Sequence, residues 1–216
     1  MIIPYRHLAQ LACLDVYRGP WTIARGDIRA TLTVIPGPGQ DGGVAVWAVR
    51  GTNVRDPRNI LRDLSDLVTW YEPATGWSQW GGLDGRRQIE LDIAAQTPPG
   101  LPYLFIGHSL GAQIALQLAA RFKAAGFRVL AAVPWACPLT GFASFWQALD
   151  GVPVDLFRFR RDPVPEVPWI LGLNRHRRAV VQLDAVTIPH HADPIDDHFG
   201  VNYAAAAPAG GIPCVS

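Results

Sequence analysis

The pattern of apolar segments predicts an α/β fold, in which a mostly parallel central sheet is flanked by helices. From residue 83 onward, short apolar runs typical of buried strands alternate with amphipathic patterns typical of helices. The chain has 216 residues and is 49% hydrophobic, which gives enough apolar surface for one large core. We therefore expect a single domain over residues 1–216.

The first 50 residues predict a helix followed by a hairpin. Apolar side chains recur at helical spacing between residues 2 and 17. Two β-rich runs at 28–35 and 44–49 are separated by residues 36–43, which are rich in Pro and Gly and are typical of a turn. At the other end of the chain, residues 204–216 are rich in Ala, Gly and Pro, and we expect this tail to be loosely held.

The remaining elements alternate along the chain. A polar stretch from 53 to 66 is followed by the apolar run 67–71 and a loop rich in Gly and Trp, to which we assign no element. The patterns after this loop predict helices at 83–95, 112–125 and 141–149, and strands at 101–106, 129–133, 154–159 and 179–183.

Charge and hydropathy narrow the range of partners. The 19 basic and 18 acidic residues nearly cancel, so we expect no binding to nucleic acid or to an anionic membrane by bulk charge. No run reaches the roughly 18 apolar residues of a membrane span. The first residues do not resemble a signal peptide, so we expect a cytoplasmic protein by default, with secretion by another route left open.

The cysteines predict neither a zinc site nor a disulfide scaffold. Cys13, Cys137 and Cys214 lie far apart in the sequence and match no metal-site spacing. We expect free thiols, and one disulfide, such as a pair between Cys137 and Cys214, remains an alternative.

A Gly-x-Ser-x-Gly pentapeptide is the strongest functional signal. It spans Gly107 to Gly111, with Ser109 at its centre, and lies between a predicted strand and a predicted helix. Such a turn holds a nucleophilic serine at the carboxyl end of a strand in the α/β-hydrolase fold, where glycines leave room for the neighbouring backbone. Ser109 is therefore the predicted nucleophile of a serine ester hydrolase.

A serine nucleophile needs an imidazole base and a carboxylate that orients it. In this fold the acid and then the histidine follow the serine along the chain. Asp162 is the favoured acid because it comes just after a predicted strand, whereas Asp155 lies inside that strand. His198 is the favoured base and ends the His- and Asp-rich stretch 190–198.

The stretch 190–198 allows two other interpretations. Its three histidines and three aspartates are side chains that bind zinc and other divalent ions. However, no helical pair of histidines fixes a geometry, and Pro194 interrupts regular structure. A metal-dependent hydrolase and a solvated loop with no role both remain open.

An acyl-transfer enzyme also needs donors for the oxyanion. The backbone N–H of Leu110, which follows the nucleophile, is the first candidate. The second is Thr52, in the Arg50-Gly51-Thr52 turn that ends the strand 44–49, although these residues alone are equally consistent with an ordinary turn.

Three separated segments resemble the class 3, or fungal-type, lipase family of the α/β-hydrolases. They are Val46-Trp47-Ala48-Val49-Arg50-Gly51-Thr52, Leu104-Phe105-Ile106-Gly107-His108-Ser109-Leu110-Gly111 and Arg158-Phe159-Arg160-Arg161-Asp162-Pro163-Val164-Pro165. The resemblance spans roughly residues 5 to 203 and implies a single-domain α/β-hydrolase.

The resemblance also implies roles for individual residues. Ser109 would be the nucleophile, Asp162 the acid, and His198 the base a few residues before a Tyr such as Tyr203. It further implies an oxyanion hole made by Thr52 and Leu110, a short lid-like segment at 53–64, and an acid, Asp63, that supports Thr52 from behind.

The sequence differs from the family pattern at several positions, and these differences bear on which ester is the substrate. Ala112 stands where the family commonly has a second glycine, residues 80–83 lack its His-x-Gly-Phe element, and the lid-like segment is mostly polar. Interfacial activation needs an apolar lid face, so transient contact with a lipid interface is expected only for a lipase. Esterase, phospholipase and polyester hydrolase remain alternatives.

The sequence therefore predicts a carboxylic ester hydrolase, lipase or esterase, that uses a Ser-Asp-His triad and needs no cofactor or metal. Its expected partner is a small-molecule or lipid ester. A metal-dependent hydrolase and a non-catalytic interaction protein with the hydrolase fold are the rival hypotheses.

Overall fold

The fold is a seven-stranded sheet with helices on both faces, and the computed structural model describes it over most of the chain. The described residues are 1–25, 28–37, 42–51, 68–72, 76–80, 86–167, 176–185, 188, 190 and 193–214, with the backbone alone for 68–72, 76–80 and 86. Among them, no helix is long and apolar enough to cross a bilayer.

The strands are β1 (Ile2–Pro4), β2 (Ile23–Arg25), β3 (Ile28–Pro36), β4 (Gly43–Val49), β5 (Val68–Glu72), β6 (Gly76–Trp80), β7 (Tyr103–His108), β8 (Val129–Trp135), β9 (Leu156–Phe159), β10 (Val180–Leu183) and β11 (Gly211–Pro213). The helices are α1 (Tyr5–Gln10), α2 (Val16–Arg18), α3 (Arg86–Gln96), α4 (Leu110–Ala124), α5 (Ala143–Ala148) and α6 (Gly200–Ala206). A π-helical turn, Leu11–Asp15, joins α1 to α2, and 3₁₀ turns lie at Val164–Glu166 and Pro194–His198.

The central sheet has the order β10-β9-β8-β7-β4-β3-β2. The five strands from β10 to β4 are parallel to their neighbours, whereas β3 and β2 are antiparallel additions at one edge. The predicted mostly parallel α/β fold is therefore confirmed, and the predicted hairpin is the β3–β4 pair.

Period-two alternation divides the sheet residues between two apolar layers. Along β4, Val44, Val46 and Ala48 pack in the layer that contains α1 and α6, while Ala45, Trp47 and Val49 pack in the layer with α3, α4 and α5. Strands buried on both faces are expected where helices cover both sides of a parallel sheet.

Several elements differ from the sequence prediction. The C-terminal tail was expected to be loosely held, which is wrong, because α6 covers residues 200–206 and β11 pairs with β1. The pairing of β5 with β6 and the short edge strand β2 were not predicted. Each of these strands forms by pairing with another strand. Hydropathy alone does not specify which strand that partner is.

Candidate active site

Ser109 occupies the sharp turn between β7 and α4. Its backbone has φ 60° and ψ −131°, a region that non-glycine residues rarely adopt. A Cβ atom added to Gly107 would lie 2.3 Å from the Gly111 carbonyl oxygen, and one added to Gly111 would lie 2.2 Å from the Val49 carbonyl oxygen. Only glycine fits at either position, so the geometry of this turn requires both glycines of the predicted motif. Residues 107–111 are called the nucleophile turn below.

A continuous hydrogen-bond chain links Ser109, His198 and Asp162. The Ser109 hydroxyl oxygen lies 2.9 Å from Nε2 of His198, and Nδ1 of the same ring lies 2.9 Å from Oδ2 of Asp162. The three residues are 2%, 2% and 0% exposed, respectively. Because a carboxylate only accepts, Nδ1 carries the proton and the Nε2 lone pair accepts from the serine hydroxyl. The structure thus brings together the three residues predicted as a triad.

Asp162 lies three residues after β9, at the carboxyl end of the strand, and is held by three donors. Besides His198, the Tyr203 hydroxyl donates to Oδ2 at 2.5 Å and the Val164 backbone N–H donates to Oδ1 at 2.9 Å. Burial opposes ionisation, but the charge and hydrogen bond of His198, followed by the other two donors, hold the pKa of Asp162 below its usual value.

Tyr203 reaches Asp162 from α6 and is itself fully buried. Burial and the nearby Asp162 charge raise the pKa of Tyr203 well above its usual value, so its hydroxyl stays protonated and donates. Sequence reasoning noted Tyr203 only by its position in the chain. Its contact depends on α6 packing beside β9, which no local pattern signals.

His198 ends a 3₁₀ turn that begins at Pro194. The Asp193 side chain accepts a hydrogen bond from a backbone N–H of this turn, which is an ordinary helix cap. The Arg161 backbone N–H donates to Oδ2 of Asp197 at 3.2 Å, which ties the turn to the loop of the acid. Residues 193–198 are called the base segment below.

His108, the second residue of the nucleophile turn, also contacts the base segment. Its Nε2 lies 3.0 Å from the His198 carbonyl oxygen, and its Nδ1 lies 3.2 Å from the Tyr17 hydroxyl. Burial, followed by the proximity of His198, lowers the pKa of His108 to about 3. Sequence reasoning missed His108 and Tyr17, because His108 stands at a position that the motif leaves variable.

Comparisons with known proteins give matches of two kinds. A family model described as a thioesterase domain matches residues 89–153, which include the nucleophile turn. Thioesterase TesA of Mycobacterium leprae (strain TN) is 38% identical over 63 residues, a segment that makes up 29% of this chain and 24% of TesA. The chain therefore spans about a quarter of the length of this relative.

The similar solved structures cover much more of the chain. The mono- and diacylglycerol lipase from Aspergillus oryzae has a TM-score of 0.57 at 18% identity, over 84% of this chain and 79% of the lipase. A triacylglycerol lipase whose catalytic centre is a serine protease triad has a TM-score of 0.56 at 20% identity, over 76% of this chain and 63% of that one. The chain has the α/β-hydrolase fold. Its resemblance to class 3 lipases is confirmed at the level of the fold.

The α/β-hydrolase fold places Leu110 at the start of α4, directly after Ser109. The first N–H groups of a helix have no partner within it and form its positive end. Gly51, at the end of β4, lies beside the serine, since a Cβ atom added there would be 3.2 Å from Ser109 Cβ. Thr52, Asp63 and the lid-like segment 53–64 lie outside the described residues, so their roles stay predictions.

The rival metal site finds no support among the described residues. Over that part of the chain, there is no group of three or more His, Cys, Asp or Glu side chains suited to a metal ion. His191 of the 190–198 stretch lies outside it. The alternative acid, Asp155, accepts a hydrogen bond from the Tyr5 hydroxyl at 2.7 Å.

The cysteines of this α/β-hydrolase fold are free thiols, as expected. Cys13 and Cys137 are buried, and burial raises the pKa of Cys137 to about 12. A thiol with a raised pKa is a poor nucleophile. Ser109 is therefore the better candidate for nucleophilic chemistry.

Proposed function

We propose that the protein is a serine carboxylic ester hydrolase, a lipase or esterase, that acts through an acyl-enzyme on Ser109. The observation that carries this proposal is the buried hydrogen-bond chain from Ser109 through His198 to Asp162. A serine hydroxyl is a weak nucleophile at neutral pH, and this arrangement supplies the base and its orienting carboxylate.

In the first half of the reaction, Ser109 Oγ attacks the ester carbonyl carbon while Nε2 of His198 takes the hydroxyl proton. The tetrahedral intermediate collapses, the bond to the leaving oxygen breaks, and His198 returns the proton to the alcohol. In the second half, His198 takes a proton from water as the water oxygen attacks the acyl carbon. The bond between the acyl carbon and Ser109 Oγ then breaks, His198 returns the proton to Oγ, and the carboxylic acid leaves. Asp162 stays ionised and stabilises the imidazolium, which agrees with its lowered pKa.

Negative charge on the substrate oxygen needs donors that are already in place. The Leu110 N–H at the positive end of α4 supplies one of them. We assign the second to Thr52, which follows Gly51 at the edge of the site. The ester carbonyl would then lie beside Ser109, between the end of β4 and the start of α4.

A thioester hydrolase is the second candidate function. The thioesterase family model and Thioesterase TesA both match the segment that carries the nucleophile turn. The same triad would cleave a thioester, because a thiolate leaves more readily than an alkoxide and needs less protonation by His198.

Activity toward two matched substrate series tests both candidates. p-Nitrophenyl esters of increasing chain length and thioesters with the same acyl groups are assayed with wild type, Ser109→Ala and the control Ser144→Ala. We expect wild type and Ser144→Ala to cleave one series at the same rate, and Ser109→Ala to lose roughly 10⁴-fold or more in kcat. Cleavage of neither series, or full activity of Ser109→Ala, would falsify the proposal.

The rival hypotheses have their own tests. A metal-dependent hydrolase would lose activity in the presence of a chelator and would keep it after Ser109→Ala. A non-catalytic protein with the hydrolase fold would not react with a fluorophosphonate, whereas we expect covalent labelling of Ser109 in wild type and none in Ser109→Ala.

A further inference from the structure

His108 links both sides of the candidate site. It lies next to Ser109 in the nucleophile turn, yet its ring points to the backbone of His198 and lies 4.8 Å from the His198 ring, centroid to centroid. It is 5% exposed. A buried polar side chain next to a nucleophile needs a physical explanation, because each of its ring nitrogens must find a partner.

The partners fix which nitrogen of His108 carries the proton. The lowered pKa of about 3 keeps the ring neutral near neutral pH, so it has one N–H donor and one lone pair. The His198 carbonyl oxygen can only accept, so Nε2 carries the proton and donates to it. Nδ1 is then the acceptor and receives the hydrogen bond of the Tyr17 hydroxyl.

The His198 carbonyl needs this donor. His198 is the last residue of the 3₁₀ turn, and the final carbonyl groups of a helical turn have no partner within it. His108 supplies the donor for this carbonyl, and a carbonyl left without one in the interior would be destabilising. The hydrogen bond therefore fixes the peptide plane that follows His198, and with it the position of the imidazole.

Tyr17 extends the same line of donors to the oxyanion side. Its hydroxyl lies 2.9 Å from where a Cβ on Gly51 would be. Burial raises the pKa of Tyr17 well above its usual value, so the hydroxyl stays protonated and can donate to His108. The line therefore runs from Tyr17, beside Gly51, to His108 and to the His198 carbonyl.

We propose that His108 is a positioning residue that aligns the base His198, and that Tyr17 sets the tautomer with which it does so. This inference rests on the proposed function. His108 does not touch the reacting atoms. It holds the base segment against the nucleophile turn, and through Tyr17 it links the base to the end of β4, where the oxyanion segment begins.

Two substitutions at His108 separate this role from packing. The amide nitrogen of glutamine is as many bonds from Cα as Nε2 of histidine, so His108→Gln keeps a donor for the His198 carbonyl. The amide of asparagine ends at the position of Nδ1, so His108→Asn loses that donor. Tyr17→Phe removes the hydroxyl and leaves Nδ1 without its donor, and Tyr5→Phe removes a remote tyrosine hydroxyl as the matched control.

The experiment measures kcat and KM on the best ester, and the low-field proton signal of His198 Nδ1–H by NMR without substrate. We expect His108→Asn to lower kcat roughly 10²-fold with KM nearly unchanged, since a small misplacement of a catalytic group has this effect. His108→Gln should recover most of the loss, and Tyr17→Phe should lose roughly tenfold. The Nδ1–H signal should weaken in His108→Asn and Tyr17→Phe and persist in His108→Gln and Tyr5→Phe.

Equal kcat values and equal signals in wild type and His108→Asn would overturn the proposal, as would equal losses in His108→Asn and His108→Gln. If His108→Asn does not fold, Tyr17→Phe carries the test, and an unchanged kcat and signal there would overturn it. If wild type cleaves no ester or thioester, the proposed function fails, and the NMR signals alone decide whether His108 positions His198.

Discussion

The nucleophile turn and the base segment meet at two hydrogen bonds, which Ser109 and His108 make with His198, but the two segments are held there in different ways. Ser109 is held by backbone packing, because Gly107 and Gly111 allow contacts that no Cβ would permit. His198 is held by hydrogen bonds with the side chains of Asp162, which accepts from its ring, and of His108, which donates to its carbonyl, and these residues lie 36 and 90 positions away in the sequence. We therefore expect the turn to be intolerant of added bulk, and the base segment to be intolerant of lost polar partners.

The largest expected effect comes from the polar partners. Asp162→Asn places an amide where the carboxylate accepts from Nδ1 of His198. The amide can donate to that nitrogen, which would stabilise the tautomer that cannot take the Ser109 proton. We expect kcat to fall roughly 10⁴-fold, equivalent to about 5.5 kcal/mol of transition-state stabilisation.

Asp155→Asn is the matched control for this change. Asp155 precedes the same strand and accepts from Tyr5, so its substitution should leave kcat within about threefold of wild type. If both variants lose activity equally, the loss reflects stability and the assignment of Asp162 is wrong.

The next effect tests the backbone packing. Gly111→Ala would bring a Cβ atom to 2.2 Å from the Val49 carbonyl oxygen, so β4 or α4 must shift. We expect the free energy of unfolding to fall by at least about 3 kcal/mol, and fluorophosphonate labelling of Ser109 to slow in any folded fraction. Urea denaturation followed by tryptophan fluorescence measures the stability.

Gly126→Ala is the control for this substitution. Gly126 has φ +85° and nothing within 4 Å of an added Cβ atom. Its substitution should therefore cost only the strain of a left-handed backbone, about 1–2 kcal/mol, and leave labelling unchanged. Equal costs at the two positions would contradict the packing argument.

The same contrast explains what the sequence could predict. The nucleophile turn was found because its constraint is local: two glycines, a serine and the flanking strand and helix lie within one short segment. Asp162 and His198 were proposed from chain order, strand ends and family resemblance, since the contacts that hold them are long-range. Strand and helix positions between residues 86 and 183 followed the hydropathy pattern, because burial on both faces produces continuous apolar strands.

What the sequence did not predict depends on partners distant along the chain. Tyr17 and Tyr203 are aromatic residues within apolar helical patterns, and such residues usually belong to the core. Their hydroxyls matter here because α2 and α6 pack beside the site. Similarly, β11 forms because residues 211–213 meet β1, and an Ala/Gly/Pro-rich segment carries no sign of such a partner.

A smaller effect concerns stability in acid. Burial is the main cause that lowers the pKa of His108 to about 3 and of His176 to about 4, from 6.5 for both. Below pH 6.5 the histidines bind protons in the unfolded chain but stay neutral in the native protein. The free energy of unfolding therefore falls as the pH falls, until the native histidines are protonated as well. Asp162, with its lowered pKa, adds a loss in the same direction at lower pH.

Each of these two histidines should contribute a slope of up to about 1.4 kcal/mol per pH unit over this window. Urea denaturation at several pH values between about 6 and 4 measures the slope in wild type, His176→Gln and His108→Gln. We expect each variant to have a shallower slope than wild type. A slope in His176→Gln equal to that of wild type would mean that His176 is protonated in the native state.

The smallest effect separates the donors of Asp162. Tyr203→Phe removes the 2.5 Å hydrogen bond to Oδ2 and leaves those from His198 and Val164 in place. The carboxylate keeps its charge and its hydrogen bond with the base, so we expect kcat to fall only about tenfold.

Losing a donor to the charged form raises the pKa of Asp162, so the loss of stability in acid should begin at a higher pH than in wild type. Tyr5→Phe, which removes the donor of Asp155 far from the triad, should leave kcat unchanged. If Tyr203→Phe instead matched Asp162→Asn in kcat, the tyrosine hydroxyl and not the carboxylate charge would control the orientation of His198.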